Sequence, residues 1–171
     1  MKSTRLLFVA ALVVLAAVAR LIPHPFNFTP VGAAALFAGA TLRPRWLAFL
    51  IPISAMLLSD AILGFHSMMP VIYACFLAAV VIGSMLRRRT RSPLAILAGA
   101  FASATLFFVV TNFWVWAMSS MYPHSFAGLT MCYVAAIPFY GNQLAGDAVY
   151  AAVLFGGLAV AEQRFSAMAE A

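Results

Sequence analysis

The chain has 171 residues, of which 65% are hydrophobic and only 8% are charged, and its mean hydropathy is +1.04. Soluble globular domains carry roughly 45–50% apolar and about 25% charged residues, so this composition predicts a membrane protein. The net charge is +6, but too few polar residues remain to form a soluble nucleic-acid-binding face. The length predicts one transmembrane domain over residues 1–171, with the lipid bilayer around it and no room for an ATPase unit.

Six apolar runs predict an all-α bundle of six transmembrane helices, because a helix needs roughly 20 residues to cross about 30 Å of hydrocarbon. The second run is short and rich in small residues, which predicts a buried, tightly packed helix. Near the end of the chain, Pro138 interrupts the apolar pattern and predicts a short interfacial helix before the last span. The predicted segments are residues 6–22, 31–42, 46–63, 71–86 and 94–118, the interfacial helix at 130–137, and a span from 138 to about 161.

The basic residues predict the orientation, since short cytoplasmic loops hold the excess of Lys and Arg. Nine of the ten lie before the first span, after the last, or in alternate loops, and only Arg20 lies on the other side. This predicts both termini in the cytoplasm. A cleaved signal peptide remains an alternative, because residues 1–19 have a basic start, an apolar stretch and an A-x-A site; cleavage would leave five spans.

The polar residues gather towards the outer side of this topology. All three histidines, His24, His66 and His124, fall in predicted outer loops that also carry proline and aromatic residues. Two carboxylates in the spans, Asp60 and Asp147, are predicted at the same outer depth. Intramembrane ionisable groups are usually functional, so the pattern predicts an outward-facing binding cavity.

A structural interpretation of the same polar residues stays open. Asp60 could pair with Arg20 or cap the end of its helix, and Asn112, also predicted at the outer depth, could join two helices.

The two cysteines are too few for a disulfide framework. Free cysteine usually packs as a small hydrophobic residue, and this is the interpretation for Cys132. Cys75 is predicted near the outer end of the fourth span, beside Tyr73 and close in sequence to His66, where its thiolate could reach a ligand. The cysteine and histidine spacings match no standard zinc pattern.

Several segments, in order, resemble a family of small bacterial membrane proteins of unknown function (DUF6580). The resemblance covers about residues 20–158 and rests on HPFNFTPVGAAALFAGA, LLSDAILGFHSMMP, VTNFWVW and CYVAAIPFYGNQLAGD. The chain is also similar to the six-helix S components of energy-coupling-factor vitamin transporters, in particular the solitary BtuM-like cobalamin transporters. This implies a multi-pass protein of the bacterial inner membrane, with an S-component fold that binds its vitamin beneath the outer loops.

The resemblance implies uptake of cobalamin or a related corrinoid, without enzyme activity other than an ancillary removal of axial cyanide and without a catalytic cofactor. In BtuM-like members a cysteine is the axial ligand of the corrin cobalt, and Cys75, in MPVIYACF, is the matching position. Aromatic side chains would contact the corrin, and polar ones its amides. The expected binding set is His24, Asp60, Phe65, His66, Tyr73, Cys75, Asn112, Trp116, Tyr122, His124 and Asp147.

Partner proteins form the remaining question. S components dock to a shared membrane subunit and two ATPases through an AxxxA pattern in the first helix, and the first span here has no two alanines four apart. A solitary protein is therefore expected. The alternatives are an S component for another vitamin or a metal that uses an ATPase module, and an intramembrane enzyme, for which no HExxH or nucleophile motif is present.

Overall fold

The computed structural model describes residues 2–90 and 92–169, and the side chains of residues 7–90 and 92–163. Over these residues the chain forms six α-helices, which confirms the predicted all-α class. The helices are α1 (Lys2–Leu21), α2 (Val31–Thr41), α3 (Trp46–Leu63), α4 (Met69–Met85), α5 (Pro93–Met118) and α6 (Phe126–Ala169). We call the end of the bundle with the three histidine-bearing loops the outer end.

Three of the described helices are long and apolar enough to cross a bilayer: α3, α5 and the part of α6 over Phe126–Gln163. The shortest of them has 18 residues and measures about 27 Å at 1.5 Å per residue, close to the thickness of the hydrocarbon core. The apolar parts of the other three helices are shorter: Leu7–Leu21 in α1, Val31–Thr41 in α2 and Met69–Met85 in α4. These lengths agree with the membrane protein that the composition predicts.

The short helix α2 lies at the centre of the bundle and packs against the other five helices. Ten of its eleven residues are buried, which confirms the predicted tightly packed helix. Its closest neighbour is α4: a Cβ atom added at Gly39 would lie 2.0 Å from the Val80 carbonyl oxygen, and one at Gly83 would lie 2.0 Å from that of Leu36. The two backbones can approach this closely because glycine has no side chain.

Both ends of α2 are held by charged side chains from other parts of the chain. At its carboxyl end, Arg87 donates from Nε to the Gly39 carbonyl (3.1 Å) and from Nη2 to the Leu42 carbonyl (2.8 Å). At its amino end, the Asp147 carboxylate accepts a hydrogen bond from the Ala33 backbone N–H. A cation at the carboxyl end and an anion at the amino end both complement the helix dipole.

The predicted break before Pro138 is wrong, because α6 runs without interruption from Phe126 to Ala169. Proline removes a single backbone donor, and Pro138 is exposed on the outside of the bundle. The helix turns on either side of it pack against α5, where the Tyr133 hydroxyl donates to the Val109 carbonyl (2.7 Å) and Tyr140 stacks on Phe108. Contact with α5 therefore supports one continuous helix through the proline.

Candidate functional site

A cavity of about 210 Å³ opens at the outer end of the bundle, between the loop that joins α1 to α2 and the helices α3 to α6. One part of its wall is polar, and consists of Arg20, His24, Asn27, Thr29, Gln143 and Asp147. The rest is apolar, and consists of Phe26, Met56, Leu63, Ile72, Phe76 and Phe107. A largely apolar concavity with a few polar groups is the usual form of a small-molecule site.

The loop between α1 and α2 forms one wall of the cavity because a tight turn folds it back. Asn27 has a φ of 64°, in the left-handed region, which asparagine tolerates better than most residues. The turn is closed by hydrogen bonds from the Phe28 amide to the Pro25 carbonyl (3.0 Å) and from the Thr29 amide to the Asn27 carbonyl (3.1 Å). This places exposed His24, with Nδ1 2.8 Å from the Pro25 carbonyl, at the cavity wall.

The floor of the cavity holds two buried polar side chains of α6, Asp147 and Gln143, which are 3% and 7% exposed. Asp147 lies against the first turn of α2, where a Cβ added at Gly32 would be 2.5 Å from its Oδ1. The second carboxylate oxygen, Oδ2, has no hydrogen-bond partner among the described residues, and neither has Gln143 Oε1. Asp147 is thus a predicted residue that the structure places in the cavity, while Gln143 is one that sequence reasoning missed.

Cys75 lies deeper than the mouth position that the sequence predicts. It is 5% exposed, and together with Ser103 it lines a narrow extension that shares Phe76, Gln143 and Asp147 with the cavity. The reason is its register on α4, where the side chain faces the interior of the bundle instead of its outer rim. Its thiol is therefore beneath the cavity floor.

Asp60 belongs to a separate polar cluster beside the cavity. Its Oδ1 accepts from Arg20 Nη1 (2.8 Å), and its Oδ2 accepts from the Tyr73 hydroxyl (2.8 Å). The same Arg20 nitrogen also donates to Ser59 Oγ. Both carboxylate oxygens are therefore occupied, which confirms the structural alternative of an Arg20–Asp60 pair and joins α1, α3 and α4.

The α5–α6 hairpin carries Asn112 away from the cavity, so the expectation that it shares the depth of Asp147 is wrong. The Cys132 thiol contacts the Asn112 carbonyl (3.4 Å), and Cys132 precedes Asp147 by 15 residues, which is about 22 Å along α6. The Asn112 side chain donates to the Phe108 carbonyl (2.7 Å). The Asn112 amide is thus hydrogen-bonded within α5 and lies outside the cavity.

The remaining predicted site residues lie outside the cavity wall, with Trp116 near the end of α5 and Phe65, His66, Tyr122 and His124 in the outer loops. Trp116 donates from Nε1 to the Pro123 carbonyl (3.0 Å) and packs edge-on against His124, with ring centroids 5.8 Å apart. Half-buried Tyr122 lies in the same loop. Phe65 and His66 are exposed in the loop between α3 and α4. Of the eleven predicted residues, the structure brings His24, Cys75 and Asp147 together at the cavity and its extension.

A bare metal site would need several ligating side chains close together. Within the described residues, no group of three or more His, Cys, Asp or Glu side chains could hold a metal ion. The floor of the cavity offers the oxygen atoms of Asp147 and Gln143, while Arg20 and His24 supply nitrogen atoms to the polar part of the wall. The site therefore has the character of a small-molecule or ion-binding cavity with an anionic floor.

Comparison with known proteins places the chain in a family. It belongs to DUF6580, a family of unknown function, which matches residues 1–168 of the 171. No curated protein and no solved structure matches the sequence.

Proposed function

We propose that this DUF6580 protein is an uptake protein of the bacterial inner membrane that binds cobalamin or a related corrinoid in its outer cavity. In this proposal all six helices cross the membrane, with both termini in the cytoplasm. The alternation of basic loops supports that orientation, because Arg43, Arg45 and the run Arg87–Arg88–Arg89 lie at the end of the bundle opposite the cavity. The cavity then opens to the outside of the cell.

The observation that carries the corrinoid proposal is the position of Cys75 in the narrow extension beneath the cavity. Its thiol is a soft ligand in a space that Phe76 and Phe107 also line. Soft thiolates are good ligands for transition metals such as cobalt. The similarity to BtuM-like proteins, in which a cysteine binds the corrin cobalt, also supports Cys75 as the cobalt ligand.

The ligand exchange at cobalt would need no oxidant or reductant. The Cys75 sulfur forms a bond to Co(III) while the axial cyanide leaves, and the thiol proton leaves with the cyanide as hydrogen cyanide. Charge and oxidation state at cobalt are unchanged. A metal centre favours this loss of the proton, as it does at other coordinating thiols.

A corrin is larger than the cavity in this conformation, so its entry requires the outer end to widen. The cavity of about 210 Å³ compares with roughly 300–1,000 Å³ for sites of drug-sized ligands. The loop between α1 and α2 is the element best placed to move, because it is mostly exposed and covers one side of the cavity. Its contact with α6 includes an edge-on packing of Phe26 and Phe139, with ring centroids 5.7 Å apart.

Complementation of growth tests the proposal. The full-length chain is expressed in a bacterial strain that requires cobalamin and lacks its own inner-membrane importer. We expect growth at low external cobalamin with the wild-type chain and reduced growth with Cys75→Ser. Membrane-inserted protein that gives no growth and no accumulation of labelled cobalamin would reject corrinoid uptake.

A second candidate is uptake of a smaller vitamin together with a partner's ATPase module, and the volume of the cavity favours it. Solubilised complexes separate the two candidates. A solitary carrier purifies without ATPase subunits, whereas this second candidate predicts that the subunits co-purify in amounts close to one complex per chain.

A further inference from the structure

The floor of the outer cavity contains two buried hydrogen-bond acceptors without donors. Asp147 Oδ2 and Gln143 Oε1 have no partner among the described residues, and both side chains are more than nine-tenths buried. Residues four apart on a helix are neighbours on one face, so the two side chains line the same space from α6. Since buried polar groups are normally satisfied, a donor or a cation belongs between them.

An ionised Asp147 carboxylate at this floor is also only partly compensated by its surroundings. The Ala33 amide and the positive end of α2 offset roughly half a charge on the Asp147 carboxylate. The Arg20 guanidinium faces the cavity but is already paired with Asp60.

Apart from Arg20, no Lys or Arg side chain among the described residues lines the cavity or its extension. From α4 come the thiol of Cys75 and the hydroxyl of Tyr73, which donates to Asp60; α5 contributes neutral side chains, and His24 is exposed at the mouth. The loop and the helices packed around Asp147 therefore leave it short of about half a positive charge.

We propose that Asp147 and Gln143 form a binding site for one compact monovalent cation, which is either Na⁺ or the protonated amine of a bound solute. Both sources share the same chemistry, a small positive charge held by carboxylate and amide oxygens. A water molecule could satisfy the two acceptors but would leave an ionised carboxylate uncompensated in a medium where charge is costly, and a protonated Asp147 would bind no cation.

The ligands themselves select the charge and the type of cation. Oxygen ligands suit hard cations, and Ser103 Oγ in the extension adds a third oxygen. One carboxylate neutralises one positive charge, whereas a divalent ion would leave an excess charge in the interior of the bundle. The donor set therefore fits a monovalent cation.

A cation that enters from the outer face gives uptake a possible source of energy. A carrier that works without an ATPase module needs an ion gradient or another driving force. The coupling of cation entry to uptake rests on the proposed uptake function, but the cation site itself does not. The test of the cation site accordingly contains no corrinoid.

Thermal unfolding of the purified full-length protein in detergent tests the site. Choline chloride, whose cation is bulky, is replaced by sodium chloride or by methylammonium chloride at constant pH and ionic strength, and tryptophan fluorescence follows unfolding. We expect the unfolding midpoint of the wild type to rise and to saturate with the compact cation, because a ligand that binds only the folded state stabilises it. A shift with Na⁺ identifies a free ion, and a shift with methylammonium alone identifies a solute amine.

Two variants locate the binding. Asp147→Asn keeps an oxygen for the Ala33 amide but carries no charge, so the salt-specific shift should disappear. Gln143→Leu keeps the charge and loses one oxygen, so the apparent affinity should fall about tenfold. Asn112→Leu removes an amide outside the cavity and should respond like the wild type.

Two results would overturn the cation site. One is a wild-type midpoint that is the same in all three salts, and the other is a salt-specific shift that persists in Asp147→Asn. If Asp147→Asn does not fold, unchanged affinity in Gln143→Leu overturns the proposal in its place. None of these results bears on corrinoid binding, which has its own assays.

Discussion

Asp147 and Arg87 contact opposite ends of α2, the one helix that is buried on all sides. A helix of 11 residues leaves four N–H and four C=O groups without partners inside itself, and in an apolar bundle no water replaces them. Arg87 satisfies the Gly39 and Leu42 carbonyls, and Asp147 satisfies the Ala33 amide. The centre of the fold and the floor of the cavity therefore share one carboxylate.

Removal of the Arg87 side chain should destabilise the fold. In Arg87→Met the Gly39 and Leu42 carbonyls lose their donors, and an unsatisfied buried group costs about 1–3 kcal/mol. We expect a lower unfolding midpoint in detergent. Arg88→Met is the matched control, since Arg88 is exposed, and an equal loss of stability in both variants would contradict this role of Arg87.

The close contact between α2 and α4 predicts that Gly39→Ala will reduce the yield of folded protein. The new Cβ would collide with the Val80 backbone, which cannot rotate away, and overpacking typically costs about 1–3 kcal/mol. Gly157→Ala is the control, because an added Cβ there meets nothing within 4 Å. Size-exclusion profiles of the two variants in detergent give the comparison, and similar profiles would show that α2 can shift at little cost.

The hydrogen bonds around Asp60 predict that substitutions in this cluster reduce the stability of the fold more than they reduce ligand binding. Asp60→Asn leaves Arg20 as an unpaired, largely buried cation, and breaking a buried pair costs roughly 3–5 kcal/mol. Tyr73→Phe removes one hydrogen bond to the carboxylate and should cost about 1.5–3 kcal/mol.

Expression level and unfolding midpoint measure both effects. If Asp60→Asn instead folds normally and loses only ligand binding, Asp60 is a site residue as the sequence predicted.

The proposed topology predicts the location of reporters. A fusion after Arg164 should be cytoplasmic, because the basic loops lie on that side, and a reporter at Ser67 in the α3–α4 loop should lie outside. Activity assays with a periplasmic and a cytoplasmic reporter at each position distinguish the sides. Both positions on the same side would reject six crossings.

Helices were predictable from the sequence because apolar length determines them in a membrane protein. Segments 31–42 and 46–63 differ from α2 and α3 by at most one residue at either end. The helix break predicted before Pro138 was wrong because the local sequence shows only the missing backbone donor. It does not show the packing of Tyr133 and Tyr140 on α5, which keeps the helix continuous.

The site was less predictable, because loop order and approximate depth do not give side-chain direction. His24 and Asp147 were predicted and lie at the cavity, while Asn112 was assigned to the wrong depth. Gln143 was missed, although a signal existed: it lies four residues before Asp147 and therefore on the same face of the helix. The pairing of Asp60 with Arg20 across 40 residues was one of two open interpretations, and only the tertiary structure decides between them.

The most direct test of the central claim is the absorption spectrum of bound cobalamin in three proteins: the wild type, Cys75→Ser and Cys132→Ser. Both cysteines are buried, at 5% and 2% exposure, so the two serine variants perturb packing to a similar extent. Serine replaces a soft ligand by a hard one, and the corrin bands report the axial ligand of cobalt. We expect a thiolate-shifted spectrum in the wild type and in Cys132→Ser, and its loss in Cys75→Ser. Cobalamin bound to Cys75→Ser with an unchanged spectrum would contradict coordination by Cys75.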